Sequence, residues 1–206
     1  MKIVTDRTVF FVKASERRAS ILASAAPIFN RHGFAGTSIS DVLNAADLEK
    51  GGLYNHFSSK EELAVAAFDY AFGKVRAYFV EALNGVESGA PHLRAYVDAF
   101  ERYVERPVVA GGCPVANATF EADDALPFLR VRVQAAFREI RGSLHRHVLR
   151  AIEKGHFRRD VDADGAADFL IAALEGSLLL SRGLRHRGSV HRVAATLQSW
   201  LTSLER

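Results

Sequence analysis

Apolar residues recur at intervals of three and four along nearly the whole of this chain, whereas the alternating β-branched runs typical of half-buried strands are missing. This spacing collects apolar side chains on one face of a helix, so the sequence predicts an all-α protein. Breaks rich in Gly, Pro and Asp divide the pattern into about nine helices. They cover approximately residues 15–32, 38–45, 49–57, 60–83, 91–105, 114–124, 126–155, 164–183 and 190–204.

Composition narrows the class of protein further. The chain has 206 residues, of which 49% are hydrophobic and 25% charged, as is ordinary for a soluble globular protein. Its apolar runs are too short to span a bilayer, and the start does not resemble a signal peptide, so we expect a cytoplasmic protein without a membrane partner. The single cysteine, Cys113, excludes an internal disulfide and a cysteine-based zinc site.

The positive charge of the chain is concentrated near its start. Residues 1–60 contain eight Lys or Arg and five Asp or Glu, whereas the other 146 residues contain 19 of each sign. The whole net charge of +3 therefore lies in the first third of the sequence. A basic segment attached to a neutral body indicates a module that binds a polyanion.

Residues 50–63, KGGLYNHFSSKEEL, combine weak helix formers with cationic and aromatic residues. On a helix over 49–57, Leu53 and Phe57 point together into a core, and Gly51, Gly52 and Asn55 fall opposite them. Tyr54 and His56 lie on the flanks, and Lys60 follows the helix end. Together with the preceding helix and a turn at 46–48, this pattern predicts a helix-turn-helix whose glycines allow close approach to a DNA groove.

The segment GFAGTSISDVLNAADLEKGGLYNHFSSKEEL, residues 33–63, resembles the DNA-binding region of the tetracycline-repressor (TetR) family of transcriptional regulators. The resemblance rests on Gly33-Phe34, Thr37-Ser38, Leu53-Tyr54, His56-Phe57, Lys60 and Leu63. Specific residues match over about 15–63, and the family's nine-helix plan matches the whole chain in outline. The sequence departs from the family pattern at Asp47, where Gly is usual, and at Glu49, where Ser or Thr is frequent.

The resemblance implies a set of DNA contacts and a domain plan. Contacts to base edges would come from Lys50, Gly51, Gly52, Tyr54 and Asn55, and contacts to phosphates from Thr37, Ser40, Tyr54, His56 and Lys60. The expected domains are an N-terminal arm over 1–14, a helix-turn-helix domain over 15–60, and an effector-binding and dimerisation domain over 61–206. The expected partners are a palindromic double-stranded DNA operator, a second copy of the chain and a small-molecule effector that releases the DNA.

The last two helices are the most apolar pair in the chain. The residues predicted to form a dimer interface are Leu170, Leu174, Leu178, Leu197, Trp200 and Leu201. The TetR resemblance implies that these helices form a four-helix interface across a twofold axis. The alternative is that both apolar stripes belong to the core of the monomer.

A ligand pocket is expected between the fourth helix and the helices in the middle of the body. Its predicted lining mixes aromatic walls with few polar groups: Phe68, Phe72, Phe100, Tyr103, Cys113, Asn117, Phe120 and Phe137. The resemblance implies that an effector bound there tilts the fourth helix and separates the two recognition helices of the dimer. For each of these residues, ordinary core packing is the alternative.

The remaining motifs are weighed as signs of a redox sensor, a metal site or an enzyme. Cys113 stands before a helix and could sense oxidants or electrophiles, although free cysteines are more often inert. Residues 160–168, DVDADGAAD, imitate the start of a calcium loop, but Ile171 stands where a bidentate Glu is required, so a helix cap at Asp162 or Asp164 is favoured. The histidine spacings indicate no metal site, and the sequence contains no catalytic motif, which predicts neither enzyme activity nor a cofactor. A helical ligand-binding dimer without a DNA role is the remaining alternative.

Overall fold

The computed structural model describes residues 6–122 and 126–205, with side chains from Ser15 onward. These residues form nine helices, α1 (Asp6–His32), α2 (Ile39–Ala46), α3 (Lys50–Tyr54), α4 (Lys60–Ala82), α5 (Ala90–Glu105), α6 (Pro114–Ala122), α7 (Pro127–Glu153), α8 (Ala163–Gly183) and α9 (Gly188–Ser203). The β-pairing within the described residues is a single isolated bridge between Phe157 and Glu205. The all-α prediction is confirmed.

The observed helix ends lie within about three residues of the predicted ones, except at the start of α1. That helix begins at Asp6, so residues 6–14 are helical where an arm is predicted, and residues 1–5 lie outside the described part of the chain. Extending an existing helix adds one hydrogen bond per residue without a new nucleation step, which favours such an extension despite the β-branched residues. Pro27 lies inside α1 without ending it.

The chain divides into two compact units. The first consists of Met1–Gly73 and Val109–Arg132, and it therefore contains α6 in addition to the helix-turn-helix. Its buried apolar side chains include Ile21, Phe29, Phe34, Val42, Leu53, Phe57 and Leu63. This unit is larger than the predicted helix-turn-helix domain over 15–60, and the functional boundary at residue 60 stays a prediction.

The second unit consists of Lys74–Val108 and Val133–Arg206. Within it, α9 packs against both α5 and α8. The ring of Phe79 stacks on that of Tyr96 at a centroid distance of 4.8 Å, and the Tyr78 hydroxyl donates a hydrogen bond to the carbonyl of Ala99 at 2.9 Å. These contacts join the second half of α4 to α5.

Candidate nucleic-acid interface

The helix-turn-helix begins with a capping box at α2. Ser38 is the N-cap of α2, and its hydroxyl oxygen accepts the backbone N–H of Asp41 at 3.2 Å. The Asp41 carboxylate in turn accepts the Ser38 backbone N–H at 2.7 Å. The hydrogen bond from the Ser38 side chain is the main cause that lowers the pKa of Asp41. The start of α2 is thus fixed by its own sequence.

The turn between α2 and α3 depends on Asp47. This residue has a φ of 50° and a ψ of 57°, in the left-handed region that Asp tolerates better than most residues. Its backbone N–H and that of Leu48 both donate to the carbonyl of Leu43. Glu49 then returns to an extended backbone as the N-cap of α3, without a side-chain capping bond within the described residues. The chain therefore changes direction within three residues.

Helix α3 and the three residues after it present two different faces. Leu53 and Phe57 are buried in the core of the first unit, as predicted. Lys50, Gly51, Tyr54 and Asn55 are exposed, and Gly52 and His56 are half-buried. The Tyr54 side chain, the largest apolar group on the outer face, is 43% exposed. The predicted DNA-contacting residues at 50–56 are therefore accessible to a ligand from solvent.

The two glycines of α3 have different surroundings. A methyl group placed at Gly51 would meet no atom of the described residues within 4 Å, apart from its chain neighbours and its own helix backbone. At Gly52, the same group would lie 3.4 Å from the Cδ2 atom of Leu48, an ordinary van der Waals contact. The packing of the protein therefore does not require a glycine at 51. The space in front of it is open to solvent and available to a ligand.

The start of α4 is capped by a pair of serines. The Ser59 hydroxyl oxygen accepts the backbone N–H of Glu62 at 3.1 Å. The Glu62 carboxylate accepts from the backbone N–H of Ser58 at 2.8 Å and from its hydroxyl at 2.6 Å, and these bonds lower the pKa of Glu62. Lys60, at the first position of α4, is half-buried and follows the exposed face of α3 in the chain.

Thr37 does not present its side chain as predicted. It is only 2% exposed, and its hydroxyl donates a hydrogen bond of 2.6 Å to the carbonyl of Gly33. This local bond closes the loop between α1 and α2, so the predicted phosphate contact from the Thr37 hydroxyl is wrong in this conformation. Ser40, in contrast, is exposed on the first turn of α2.

Several cations of the first unit were not assigned DNA contacts from the sequence. Arg17, Arg18 and Arg31 of α1 are exposed. The guanidinium carbon of Arg18 lies 4.7 Å from the centroid of the buried Phe57 ring, an arrangement favourable for a cation–π contact. All three belong to the basic surplus of the first 60 residues, which was the signal available in the sequence.

The predicted effector-binding residues are divided between the two units. In the first unit, the rings of Phe68 and Phe72 stack at a centroid distance of 6.3 Å, and Cys113 is buried, as is typical of an inert thiol. Phe120 is 79% exposed on α6, so its assignment to a buried pocket wall is wrong. Asn117 uses its amide nitrogen within the protein, on the Asn30 side-chain oxygen at 2.8 Å.

In the second unit, the rings of Phe100 and Tyr103 meet at a centroid distance of 6.4 Å, and both are buried. Phe137 on α7 is half-buried. Each unit thus contains one ring pair from this set, Phe68 with Phe72 and Phe100 with Tyr103. The common effector pocket stays a prediction.

Most residues of the predicted dimer interface lie in the core of the monomer. Leu170, Leu174, Leu178, Leu197 and Leu201 are buried within a single chain, so the prediction that they face a partner is wrong. Only Trp200 is partly accessible, and it meets Phe169 edge to face with ring centroids 4.8 Å apart. The opposite side of α8 carries the exposed apolar side chains: Phe169, Leu179 and Leu180.

The acidic segment at 160–168 caps and anchors a helix. The Asp162 carboxylate accepts the backbone N–H of Asp164 at 3.1 Å, which makes Asp162 the N-cap of α8. The guanidinium of Arg141 binds Asp164 at 2.8 Å and Asp168 at 2.6 Å, and its hydrogen bond to Asp168 lowers the pKa of Asp168. The residues that the structure describes contain no group of three or more His, Cys, Asp or Glu suited to a metal ion. None of the described helices is long and apolar enough to cross a membrane.

Comparisons with known families cover both parts of the chain. Residues 21–67 match the model of bacterial regulatory proteins of the tetR family, and residues 89–206 match a tetracyclin repressor-like C-terminal domain. The second match alone spans more than half of the chain. Together the two matches include the whole helix-turn-helix and α5 to α9.

Individual relatives agree with these matches. The transcriptional repressor KstR2 from Rhodococcus jostii is 31% identical over 166 residues, which are 76% of this chain and 75% of the relative. The repressor DhaR from Mycobacterium sp. strain GP1 is 26% identical over 82% of this chain and 84% of its own. The crystal structure of a TetR transcriptional regulator from Chloroflexus aurantiacus superposes with a TM-score of 0.88 at 43% identity, covering 92% of this chain and 96% of that one.

Proposed function

This chain belongs to the TetR family of transcriptional regulators, and we propose that it is a repressor that binds a palindromic operator as a homodimer and releases it when a small-molecule effector binds. As a TetR-family protein it is a DNA-binding regulator and not an enzyme. Its relatives KstR2 and DhaR are named as repressors, which supports the same direction of control here. Such a repressor would act in the cytoplasm, where the operator is.

One observation carries the proposed DNA contact: the outer face of α3 is bare at Gly51 and is flanked by Lys50 and Tyr54. A backbone without a side chain can lie close to base edges or sugar, whereas flanking cations and hydroxyls suit phosphates. We assign base contacts to Lys50, Gly51, Gly52, Tyr54 and Asn55, and phosphate contacts to Ser40, Tyr54, His56 and Lys60. Each of these residues is exposed or half-buried.

A dimer is supported by the apolar side of α8 that remains uncovered in the single chain. Leu179 is 61% exposed and Leu180 is 51% exposed, and Phe169 lies two to three turns earlier on the same side. Ala172 and Gly176 fall between them at helical spacing, which allows close approach of another helix. We propose that this side, and not the buried leucine stripe, contacts the second copy. Two half-sites one DNA turn apart, roughly 34–36 Å, would then be read together.

The proposed effector is small and largely apolar. The residues in support are aromatic pairs, Phe68 with Phe72 in the first unit and Phe100 with Tyr103 in the second. An effector acts only if it binds the two states of the protein with different affinity, and the DNA-free state must be the preferred one.

The test of the proposed function begins with selection of DNA. Duplexes from a random library that bind the purified protein are sequenced, and the affinity for the selected operator is measured by fluorescence anisotropy at several salt concentrations. Lys60→Ala should weaken binding to all sequences and reduce the slope of log affinity against log salt by about one, because one phosphate contact is lost.

Lys154→Ala is the matched control, since it removes the same charge from the second unit, where Lys154 binds Glu87 at 2.7 Å. It should leave the affinity and the slope unchanged. If no duplex is enriched, the DNA-binding role is refuted. If Lys60→Ala behaves like the control, the phosphate contact of Lys60 is wrong while the wider function stands.

A further inference from the structure

The end of α1 is connected to α6 by the side-chain amides of the buried Asn30 and the half-buried Asn117, both in the first unit. Asn30, which is 7% exposed, donates from its Nδ2 atom to the carbonyls of Ala110 at 3.1 Å and Gly112 at 2.9 Å. Asn117 donates from its own Nδ2 atom to the backbone carbonyl of Asn30 at 3.0 Å and to its side-chain oxygen at 2.8 Å. The last turn of α1 is therefore hydrogen-bonded to both α6 and the segment that precedes it.

One turn further along α6, Glu121 binds the loop that leads from α1 into the helix-turn-helix. Its two carboxylate oxygens accept the backbone N–H of Phe34 at 3.0 Å and that of Ala35 at 2.8 Å. Hydrogen bonds to an ionised acceptor are stronger than neutral ones, and two of them fix the orientation of the loop as well as its position. The next residues of this loop reach the cap of α2 at Ser38.

The approach of the two segments depends on glycine at both contact points. Gly33 has a φ of 79°, and a methyl group there would lie 2.4 Å from a carboxylate oxygen of Glu121. Gly111 has a φ of 111°, and a methyl group there would lie 2.8 Å from Asn30. Both positions combine a left-handed backbone with a close contact, so the local chain is shaped for this junction.

We propose that Glu121 and Asn117 are positioning residues for DNA binding, which act through the α1–α2 loop and fix the orientation of α2 and α3 toward the operator. This inference rests on the proposed function and extends it, because neither residue is among the proposed DNA contacts. A displacement of α6 must either carry the loop with it or break these hydrogen bonds. The orientation of the helix-turn-helix therefore depends on these two side chains of α6.

Electrostatics makes the proposal distinguishable from a direct effect on DNA. Replacement of Glu121 by Gln removes a negative charge from the DNA-binding unit, which by itself should strengthen binding to a polyanion. Loss of positioning should weaken DNA binding instead, because the glutamine side chain offers only one acceptor oxygen for the backbone N–H groups of Phe34 and Ala35. The slope of affinity against salt should not change, since no phosphate contact is involved.

The experiment compares Glu121→Gln, Asn117→Ala and the double variant with the wild-type protein on the operator selected above. Glu153→Gln and Asn84→Ala are matched controls, because both residues are exposed and lie in the second unit. Measurements are made at 10 °C, where circular dichroism verifies that each variant is folded. We expect about five- to twenty-fold weaker operator binding for each single variant, an unchanged salt slope, and faster hydrogen exchange at the amides of Phe34 and Ala35.

The proposal would be overturned if both folded single variants bind the operator within twofold of the wild-type affinity. A salt slope altered by one or more would overturn it as well. If Glu121→Gln does not fold, Asn117→Ala decides by the same criteria, with Glu121→Asp as the conservative variant expected to lose less affinity. Failure of the wild-type protein and both controls to bind any duplex would instead refute the proposed function, and the positioning role with it.

Discussion

The ammonium nitrogen of Lys50 lies 6.0 Å from the centroid of the Tyr54 ring, so these two side chains flank the same exposed strip of α3. Gly51 lies in that strip, and the protein itself leaves the space in front of it empty within the described residues. Glycine costs about 1 kcal/mol relative to alanine inside a helix. Stability alone therefore does not explain a glycine at this position, whereas close approach of DNA does.

Gly51→Ala should separate stability from DNA binding. We expect the free energy of unfolding to rise by up to about 1 kcal/mol, because alanine favours the helix and its methyl group meets open space. Operator affinity should fall by about tenfold or more, because the methyl group intrudes into the contact with the groove. The two quantities are measured by urea denaturation and fluorescence anisotropy.

Gly73→Ala provides the control for this variant. Gly73 lies within α4, and a methyl group there also meets no described atom within 4 Å beyond its own helix backbone and chain neighbours. It should give a similar gain in stability with unchanged operator affinity. If Gly51→Ala binds the operator as tightly as Gly73→Ala does, α3 does not approach DNA through Gly51.

The sequence was sufficient to predict those features that depend on local patterns. Helix positions followed from apolar spacing, and the burial of Leu53 and Phe57 followed from their spacing of four residues. The same reasoning failed where a residue's environment depends on distant parts of the chain. Thr37 resembles a phosphate ligand in the sequence, but its hydroxyl is used by the carbonyl of Gly33.

The prediction of a dimer interface from the apolar stripe of α8 failed for a related reason. Apolar spacing identifies a buried face, but it does not reveal whether the face is covered by the same chain or by a second copy. In this fold Leu170 and Leu174 are covered within the monomer, and Leu179 and Leu180 remain uncovered. Likewise, the side chain of Asn117 could bind a ligand as far as the sequence shows. The fold reveals that its amide nitrogen donates a hydrogen bond to the side-chain oxygen of Asn30.

Leu180→Glu should disrupt the proposed dimer without unfolding the monomer. The side chain is 51% exposed in the single chain, so a carboxylate there stays solvated until a second copy approaches. We expect a shift from dimer to monomer at micromolar concentration in sedimentation velocity, with helical content unchanged. Operator affinity should fall strongly, because each monomer reads only one half-site.

Leu149→Glu is the matched control for the dimer. Leu149 is 40% exposed on α7, in the same unit but on another helix. This variant should sediment as the wild-type protein does. A dimer that persists in Leu180→Glu, or a wild-type protein that is already monomeric, would remove α8 from the interface.

Asp47→Gly should stabilise the turn of the helix-turn-helix. A φ of 50° is strained for an L-residue and not for glycine, so we expect the free energy of unfolding to rise by about 0.5–1 kcal/mol in urea denaturation. Operator affinity should also rise, because a negative charge leaves the DNA-binding unit. Arg185→Gly is the comparison, since Arg185 has a φ of 51° in the second unit. It should stabilise without raising operator affinity, and lower stability in both variants would contradict the role assigned to backbone strain.

His147→Phe should reduce the sensitivity of the second unit to acid. The His147 ring stacks on His92 with a centroid distance of 3.5 Å and an interplanar angle of 3°, and the Ser88 hydroxyl lies 3.2 Å from its Nδ1 atom. Burial lowers the pKa of both imidazoles, and the positive charges of His92, Arg146 and Arg150 add to this effect to bring the pKa of His147 to about 4.

The sign of the pH effect follows from this depressed pKa. An unfolded histidine binds a proton below about pH 6.5, whereas His147 in the folded protein stays neutral until about pH 4. The contribution of His147 to stability should therefore be fully present above pH 6.5 and decrease as the pH falls toward 4, because the unfolded chain binds the proton more readily. As the pH falls through this window, the free energy of unfolding of His147→Phe minus that of the wild-type protein should increase. Carboxylates that also respond to acid are common to both proteins and cancel in this difference. Urea denaturation at pH 7, 5.5 and 4.5 measures it, and parallel pH profiles of the two proteins would exclude His147 as an acid-sensitive group.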